Sequence, residues 1–300
     1  MLCGLVWGRC KRRHLPVLNA LTVDLEDWYY PELVRHRLPP GEQEVQIEVS
    51  TQLLLDLLRD RGTKATFFVL GEIAERCPLL IERIVAQGHE LACHGMRHEP
   101  LWRMTADQLR SELQEFAEVM GAAAPGTEII GFRAPTFSLD HRTAWALGVL
   151  TEFGYRYDSS IFPFKNPVYG VRNCPLVPYR PSFEDVTVAD SESTVIEFPM
   201  SVCVWGGLKV PVSGGFYLRA LPFRLVRFCL RRINQRRPFT VYVHPWEVYE
   251  GTPRVSLAFA SRFITYYNTG TMMQRLTDLL DTFPFAPMRT VLEEMGELRK

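Results

Sequence analysis

Apolar residues fall along the chain in two alternating rhythms. Short runs rich in branched and aromatic residues read as strands: Leu18 to Val23, Ala65 to Leu70 (ATFFVL), His89 to Cys93, Glu128 to Phe132, Thr194 to Phe198 and Phe239 to Val243. Between them, apolar side chains recur at helical spacing. Ser50 to Asp60 is closed by Gly62, Pro78 to Gln87 is stopped by Gly88, and Asp140 to Glu152 is ended by Gly154. Leu221 to Asn234 and Thr271 to Thr282 are later helices, and Thr105 to Met120 begins with Thr105 and Gln108 at the spacing of a capping box. Strands alternating with helices predict βα units around a largely parallel sheet. Residues 155 to 220 break the rhythm, with many prolines, glycines and aromatics. A loop-rich stretch of that length inside a compact domain points to function. No linker, repeat or low-complexity tract divides the chain, so one domain is expected.

Composition narrows the class without redirecting it. The 300 residues are 47% hydrophobic and 23% charged, a globular balance able to fill the core of one large α/β barrel. Formal net charge is zero, which gives no pull toward nucleic acid. The pairs Arg231-Arg232 and Arg236-Arg237 read as the solvated face of a helix. Seven cysteines, an odd number with no CxxC pair, suggest reduced thiols rather than a disulfide framework. No window reaches eighteen uninterrupted apolar residues, so no membrane span is predicted. The first apolar stretch, Leu2 to Trp7, is short and precedes rather than follows the basic cluster Lys11-Arg12-Arg13. That is not the order of a secretory signal, and a cytoplasmic location is expected.

The polar residues that can carry chemistry stand at the ends of apolar runs. Asp24, Glu26 and Asp27 follow the first strand, His94 and His98 follow HELAC, Arg133 follows EIIGF, and His244 follows FTVYV. In a parallel sheet all carboxyl ends lie on one face, where sites are built, so four strand ends bring these groups to one place. The four-residue spacing of His94 and His98 can put both imidazoles on one side of a helical turn. Glu26 or Asp27 can add a carboxylate, and two histidines with one carboxylate leave positions open for water and substrate. If strand geometry persists, Asp24 and Glu26 point the same way, one as base and the other as ligand. Arg133 can hold a carboxylate in bidentate fashion, and His244 suits a general acid near neutral pH.

In this order the pieces resemble the NodB-homology polysaccharide deacetylases, carbohydrate esterase family 4, and especially the branch tied to exosortase-linked exopolysaccharide loci. The stretches are LTVDLEDW, KATFFVLGEIAERCP, GHELACHGMRHEPL, GFRAPTFSL, YDSSIFPF, EFPMS, VPVSGGFYLR and VYVHPWE, from about Asn19 to about Leu292. The resemblance implies a distorted (β/α)7 barrel over residues 18 to 292, with an extension at 1 to 17 and a tail at 293 to 300. It implies a divalent metal, commonly zinc, with cobalt or another ion as alternatives, held by His94, His98 and either Glu26 or Asp27. Asp24 would be the general base, Arg133 its orienting partner and His244 the general acid. Thr136-Phe137 would line the site and place a backbone N–H near the oxyanion. Trp28, Tyr29, Tyr30, Trp205, Phe216, Tyr217 and Trp246 would be available to stack on sugar rings. The implied reaction removes N-acetyl groups from an amino-sugar polysaccharide or its lipid-linked precursor, in exopolysaccharide biosynthesis, with no nucleic-acid partner. Hydrolysis of a cyclic or small amide, and a non-catalytic glycan-binding role, are the alternatives. The sequence departs from the family where Asp24-Leu25-Glu26-Asp27 replaces adjacent aspartates, and where Gly95 replaces a Ser or Thr. It also lacks a clean fourth motif, which leaves Asp158 and Glu197 as candidates to support His244.

Overall fold

The computed structural model describes residues 17–35, 37 and 45–298, so the expected extension lies outside it except for Val17. The strands are β1 (Asn19–Leu25), β2 (Thr66–Val69), β3 (Glu90–Cys93), β4 (Gly131–Phe132), β5 (Tyr157–Asp158), β6 (Ile196–Glu197), β7 (Val202–Trp205), β8 (Leu208–Pro211), β9 (Thr240–Val243) and β10 (Phe285–Ala286). Seven of them pair in parallel in the order β9-β1-β2-β3-β4-β5-β6, a distorted half-barrel, and β10 pairs with Asn19 and Ala20 at the start of β1. β7 and β8 form a separate antiparallel hairpin.

The alternation of side chains along each strand decides what faces the barrel axis. Leu21, Val23 and Leu25 of β1, with Phe67, Val69, Leu91 and Cys93, pack outward against the helices. The opposite parity, Ala20, Phe68, Ala92, Tyr157 and Ile196, fills the interior. Asp24 shares the parity of Ala20, so the end of β1 delivers it to the inside of the barrel mouth. Outside, Ile47–Asp60 buries Ile47, Leu54, Leu55 and Leu58 at helical spacing. Ala106–Ala123 is capped at Thr105, whose Oγ1 accepts from the Gln108 N–H while Gln108 Oε1 accepts from the Thr105 N–H.

Among the described residues no ladder joins β6 to β9. The gap is filled by the segment carrying Ser201, Ser213 and Gly214. The Thr240 N–H donates to Ser201 Oγ at 2.8 Å, Ser213 Oγ donates to the Ser201 carbonyl at 2.8 Å, and the Tyr242 N–H donates to the Ser213 carbonyl at 2.8 Å. Gly214, at φ 148°, lies so close to β9 that an added Cβ would stand 1.9 Å from the Tyr242 carbonyl oxygen. Gly214→Ala is therefore expected to cost about 3 kcal/mol or more through strain and backbone displacement. Urea unfolding would register it as a lower midpoint; a midpoint equal to that of the unaltered chain would mean the seam yields freely.

Candidate active site

At the carboxyl ends of β1, β3, β4 and β9 the chain builds one buried polar cluster. β1 ends at Leu25, and the turn after it returns the Glu26 N–H to the Asp24 carbonyl at 2.9 Å. Asp24 and Glu26 then face the same space: Asp24 Oδ2 lies 3.9 Å and Glu26 Oε1 3.4 Å from His244 Nε2. After β3 the chain runs as a loop, not the helical turn expected from the histidine spacing. Gly95 (φ 81°) and His98 (φ 56°) take left-handed conformations that fold the segment back on itself. The imidazoles of His94 and His98 thereby meet with ring centroids 5.3 Å apart.

One ligand-capable atom from each of Glu26, His94 and His98 lies within 4.8 Å of the others. The donor set fits a divalent cation. His94 Nδ1 donates to the Arg133 carbonyl at 2.8 Å, which leaves Nε2 as a bare acceptor. Burial strips protons from His94 and lowers its pKa to about 4, so it is neutral as a ligand must be. Burial alone would raise the Glu26 carboxyl, but the neighbouring His98, His244 and His94 bring it down to about 2, keeping it ionised. His98 Nε2 approaches Glu26 Oε2 to 2.7 Å, yet Glu26 Oε2 has no aligned hydrogen bond. With the imidazole neutral, both atoms present lone pairs that a shared cation could bridge. Three protein ligands leave a position open, as in catalytic rather than structural zinc sites.

Arg133 is fully buried and positions Asp24. Its NH1 donates to Asp24 Oδ1 at 2.5 Å and to Thr22 Oγ1 at 2.9 Å, while Nε and NH2 donate to the Ser159 carbonyl and hydroxyl at 3.0 Å. The grip on Asp24 is single-pronged, not bidentate as expected, because the other N–H groups fix the loop after β5. The guanidinium also lies 4.0 Å over the Phe68 ring.

His244 is held from behind by a residue the sequence reading did not name. Glu247 Oε2 accepts from His244 Nδ1 at 2.9 Å and from the His244 N–H at 3.1 Å, and Glu247 Oε1 accepts from Arg219 Nε at 2.7 Å. Arg219 and Glu247 are both buried. Burial would lower the His244 pKa, but the carboxylates of Glu26, Glu247 and Asp24 raise it to about 9. Neither Asp158 nor Glu197 partners His244. These two pair with each other and organise the loop after β5: Asp158 Oδ1 accepts from Ser160 Oγ at 2.5 Å, and Glu197 Oε1 accepts from the Ile161 N–H at 2.9 Å.

That pair has a consequence for stability. Burial and the Asp158 charge raise the Glu197 pKa well above its ordinary value. Above about pH 4.5 the unfolded chain releases this proton while the folded chain keeps it, so the contribution present at low pH is lost as pH rises through the folded pKa. Glu197→Gln, which cannot lose a proton there, is expected to flatten the decline of Tm with rising pH. Melting curves from pH 5 to 9 would test this; identical slopes for both proteins would refute it.

Two further expectations are corrected. Asp27 is not with the histidines: its Oδ1 accepts from the Gln46 N–H at 3.3 Å and its Oδ2 pairs with Arg76 at 3.4 Å. Trp28 is a core residue, 2% exposed and edge-on to Tyr29, and does not line the pocket. Tyr29 and Tyr30 bond Arg76 and Glu72 instead, and Trp205 packs on Phe228 in the β7–β8 hairpin. Phe137 and Trp246 do line the pocket, with Tyr169, Phe216 and Tyr217, and Trp246 stacks on His244 at 5.4 Å. Thr136 and Phe137 both have positive φ, 58° and 50°, unfavourable for a β-branched and a bulky residue and typical of positions held for function. The pocket over this cluster encloses about 320 Å³, the size of a small-ligand site.

Comparison with known proteins bears on what such a pocket does. The family profile described as polysaccharide deacetylase matches residues 43–157, and the domain of unknown function DUF3473 matches residues 159–293. The chain is 38% identical over 87 residues to a chitooligosaccharide deacetylase of Sinorhizobium fredii, covering 29% of this chain and 40% of that one. It is 35% identical over 74 residues to a peptidoglycan-N-acetylglucosamine deacetylase of Bacillus cereus, covering 25% and 27%. Aligned stretches thus span well under half the length of these relatives. A crystal structure described as a polysaccharide deacetylase from Mycobacterium smegmatis superposes with a TM-score of 0.61 at 20% identity, covering 94% of this chain and 93% of that one. One from Pseudomonas aeruginosa superposes at 0.59 with 15% identity, covering 94% and 92%. Both likenesses bear on the fold.

Proposed function

Since residues 43–157 match the polysaccharide deacetylase family model, we propose that the chain is a NodB-homology deacetylase that hydrolyses N-acetyl groups on an amino-sugar polysaccharide or its lipid-linked precursor, releasing acetate. The observation that carries this reading is the meeting of Glu26, His94 and His98 with Asp24 and His244 at one end of the barrel. Glu26, His94 and His98 would hold a divalent cation, with zinc the first choice for two imidazoles and a carboxylate. When bound, such a cation supplies Lewis acidity toward the acetamide carbonyl and toward water.

The chain's own residues do the proton work. Asp24 takes the proton of the attacking water, and Arg133 holds Asp24 aimed. His244, aligned through Nδ1 by Glu247, delivers a proton from Nε2 to the departing amine. Phe137, Tyr217 and Trp246 wall the pocket and exclude bulk water while offering ring faces to sugar. A role in exopolysaccharide biosynthesis rests on the resemblance of YDSSIFPF and VPVSGGFYLR to the exopolysaccharide-locus branch.

The deciding experiment measures acetate released from N-acetylglucosamine oligomers by metal-stripped protein, then after zinc or cobalt is restored. Activity is expected only with metal, together with one equivalent of bound cation and a raised Tm. Absence of both acetate release and metal uptake would refute the reading. In the described residues no helix is long and apolar enough to cross a membrane.

A further inference from the structure

The helix Phe259–Tyr266 stands on the pocket rim with its apolar face turned outward. It buries Thr265 and Tyr266. Phe259, Phe263, Ile264 and the following Tyr267 recur at i, i+4, i+5 and i+8, and are 86%, 42%, 39% and 43% exposed. A surface helix ordinarily shows its polar face to water. An apolar stripe facing out marks contact with an apolar phase.

This rim is continuous with the site. Ile264 and Thr265 line the pocket, and the Phe263 ring meets Phe216, another lining residue, at 5.8 Å. Arg219 ties the helix to the buried acid behind His244 by donating to the carbonyls of Ile264 and Tyr267. Val168, 42% exposed on another wall of the same pocket, extends the apolar rim.

Charge selects the partner. The chain as a whole is neutral, yet residues 198 to 277 carry eleven lysines and arginines against two acids, and ten against one once the buried Arg219–Glu247 pair is set aside. Arg262 is exposed on the rim helix and Arg254 lies beside Tyr266. Among the described residues neither forms an ion pair, whereas the arginines at 59, 83 and 110 on the opposite part of the sequence all do.

We propose that this rim docks on an anionic phospholipid surface, with the apolar stripe at the headgroup–acyl boundary and the arginines on phosphates, so that the pocket opens toward the bilayer. Amino-sugar groups presented from that surface would then enter directly; this last step rests on the deacetylase reading, while docking does not. A nucleic acid would use the arginines but leave Phe259 and Ile264 in water. A glycan platform would favour rings over Ile264.

Cosedimentation with vesicles of phosphatidylglycerol and phosphatidylcholine, against phosphatidylcholine alone, tests it. The chain is expected to bind the anionic vesicles and to release as salt rises. The double variant Phe259→Ser with Arg262→Glu, both exposed and outside the pocket lining, is expected to bind about tenfold more weakly. Its hydrolysis of soluble oligomers should be unchanged. Wild-type protein that stays in the supernatant overturns the proposal, as does a variant that binds vesicles equally well. So does a variant with intact vesicle binding that loses oligomer hydrolysis, which would make the stripe a sugar platform. A wild-type dimer that the variant dissolves, with no vesicle binding, would assign the stripe to a second copy of the chain. Cosedimentation needs no turnover, so its failure is separable from failure of the deacetylase reading.

Discussion

Asp24→Asn is expected to lower kcat on an N-acetylated glycan by about 10²- to 10⁴-fold, the range for losing a general base. KM and bound cation should change little. The two carboxylate oxygens of Asp24 have separate tasks. Oδ1 is occupied by Arg133 at 2.5 Å, while Oδ2 faces the pocket 3.9 Å from His244 Nε2. Asparagine keeps the volume and can still accept from Arg133, but it offers no basic oxygen to a water proton. Because Glu26, His94 and His98 are untouched, metal content separates a lost base from a lost cation. Arg133 does lose its carboxylate partner, so the assay belongs at a temperature well below the variant's Tm. Steady-state kinetics with metal analysis decide the matter: a fully loaded variant that keeps more than a tenth of wild-type kcat would remove Asp24 from the role of base.

Glu247→Gln should be nearly as damaging, at about 10²-fold or more in kcat, although Glu247 lies behind the histidine rather than against substrate. The carboxylate fixes the tautomer that leaves His244 Nε2 toward the site and favours the protonated ring. An amide does neither reliably, since it can present N–H to Nδ1. A second effect must be separated from this one. Arg219, 2% exposed, loses its carboxylate, and an uncompensated buried charge costs about 3–5 kcal/mol. The double variant Arg219→Leu with Glu247→Gln removes both charges, so it is expected to regain part of the Tm and none of the kcat. Recovery of kcat in the double variant would reduce Glu247 to a structural partner.

The residues that were legible in the chain were those fixed by strand parity and strand ends. Apolar runs located β1, β2, β3, β4 and β9, and the ends of β1, β3, β4 and β9 located Asp24, His94, Arg133 and His244. Legibility ended where the chain leaves regular structure. The turn after Leu25 sends Asp27 to Arg76 and Trp28 into the core, and a periodicity argument cannot follow a chain through a turn. The histidine pair meets through positive φ at Gly95 and His98, which spacing alone represents as a helix. Glu247 was available in principle: three residues beyond His244, with Pro245 between them, it has the capping-box spacing at a helix start. Arg219 was not, since only tertiary packing brings it there across 28 positions. The β7–β8 hairpin also had a signal, Gly206-Gly207 between two apolar runs, submerged in a stretch read as loops.

Because serine hydroxyls and one glycine, rather than a ladder, span the gap between β6 and β9, the ring of strands is clasped instead of welded. Ladder amides in β1 and β2 should exchange with deuterium only on global unfolding, whereas the Thr240 and Tyr242 amides should exchange sooner, through partial opening of the clasp. That opening leaves β9 on its β1 ladder but frees the segment after Ser213, whose Gly215, Phe216 and Tyr217 wall the pocket. Mutations that loosen the clasp would therefore silence the protein at temperatures where its circular dichroism still looks native.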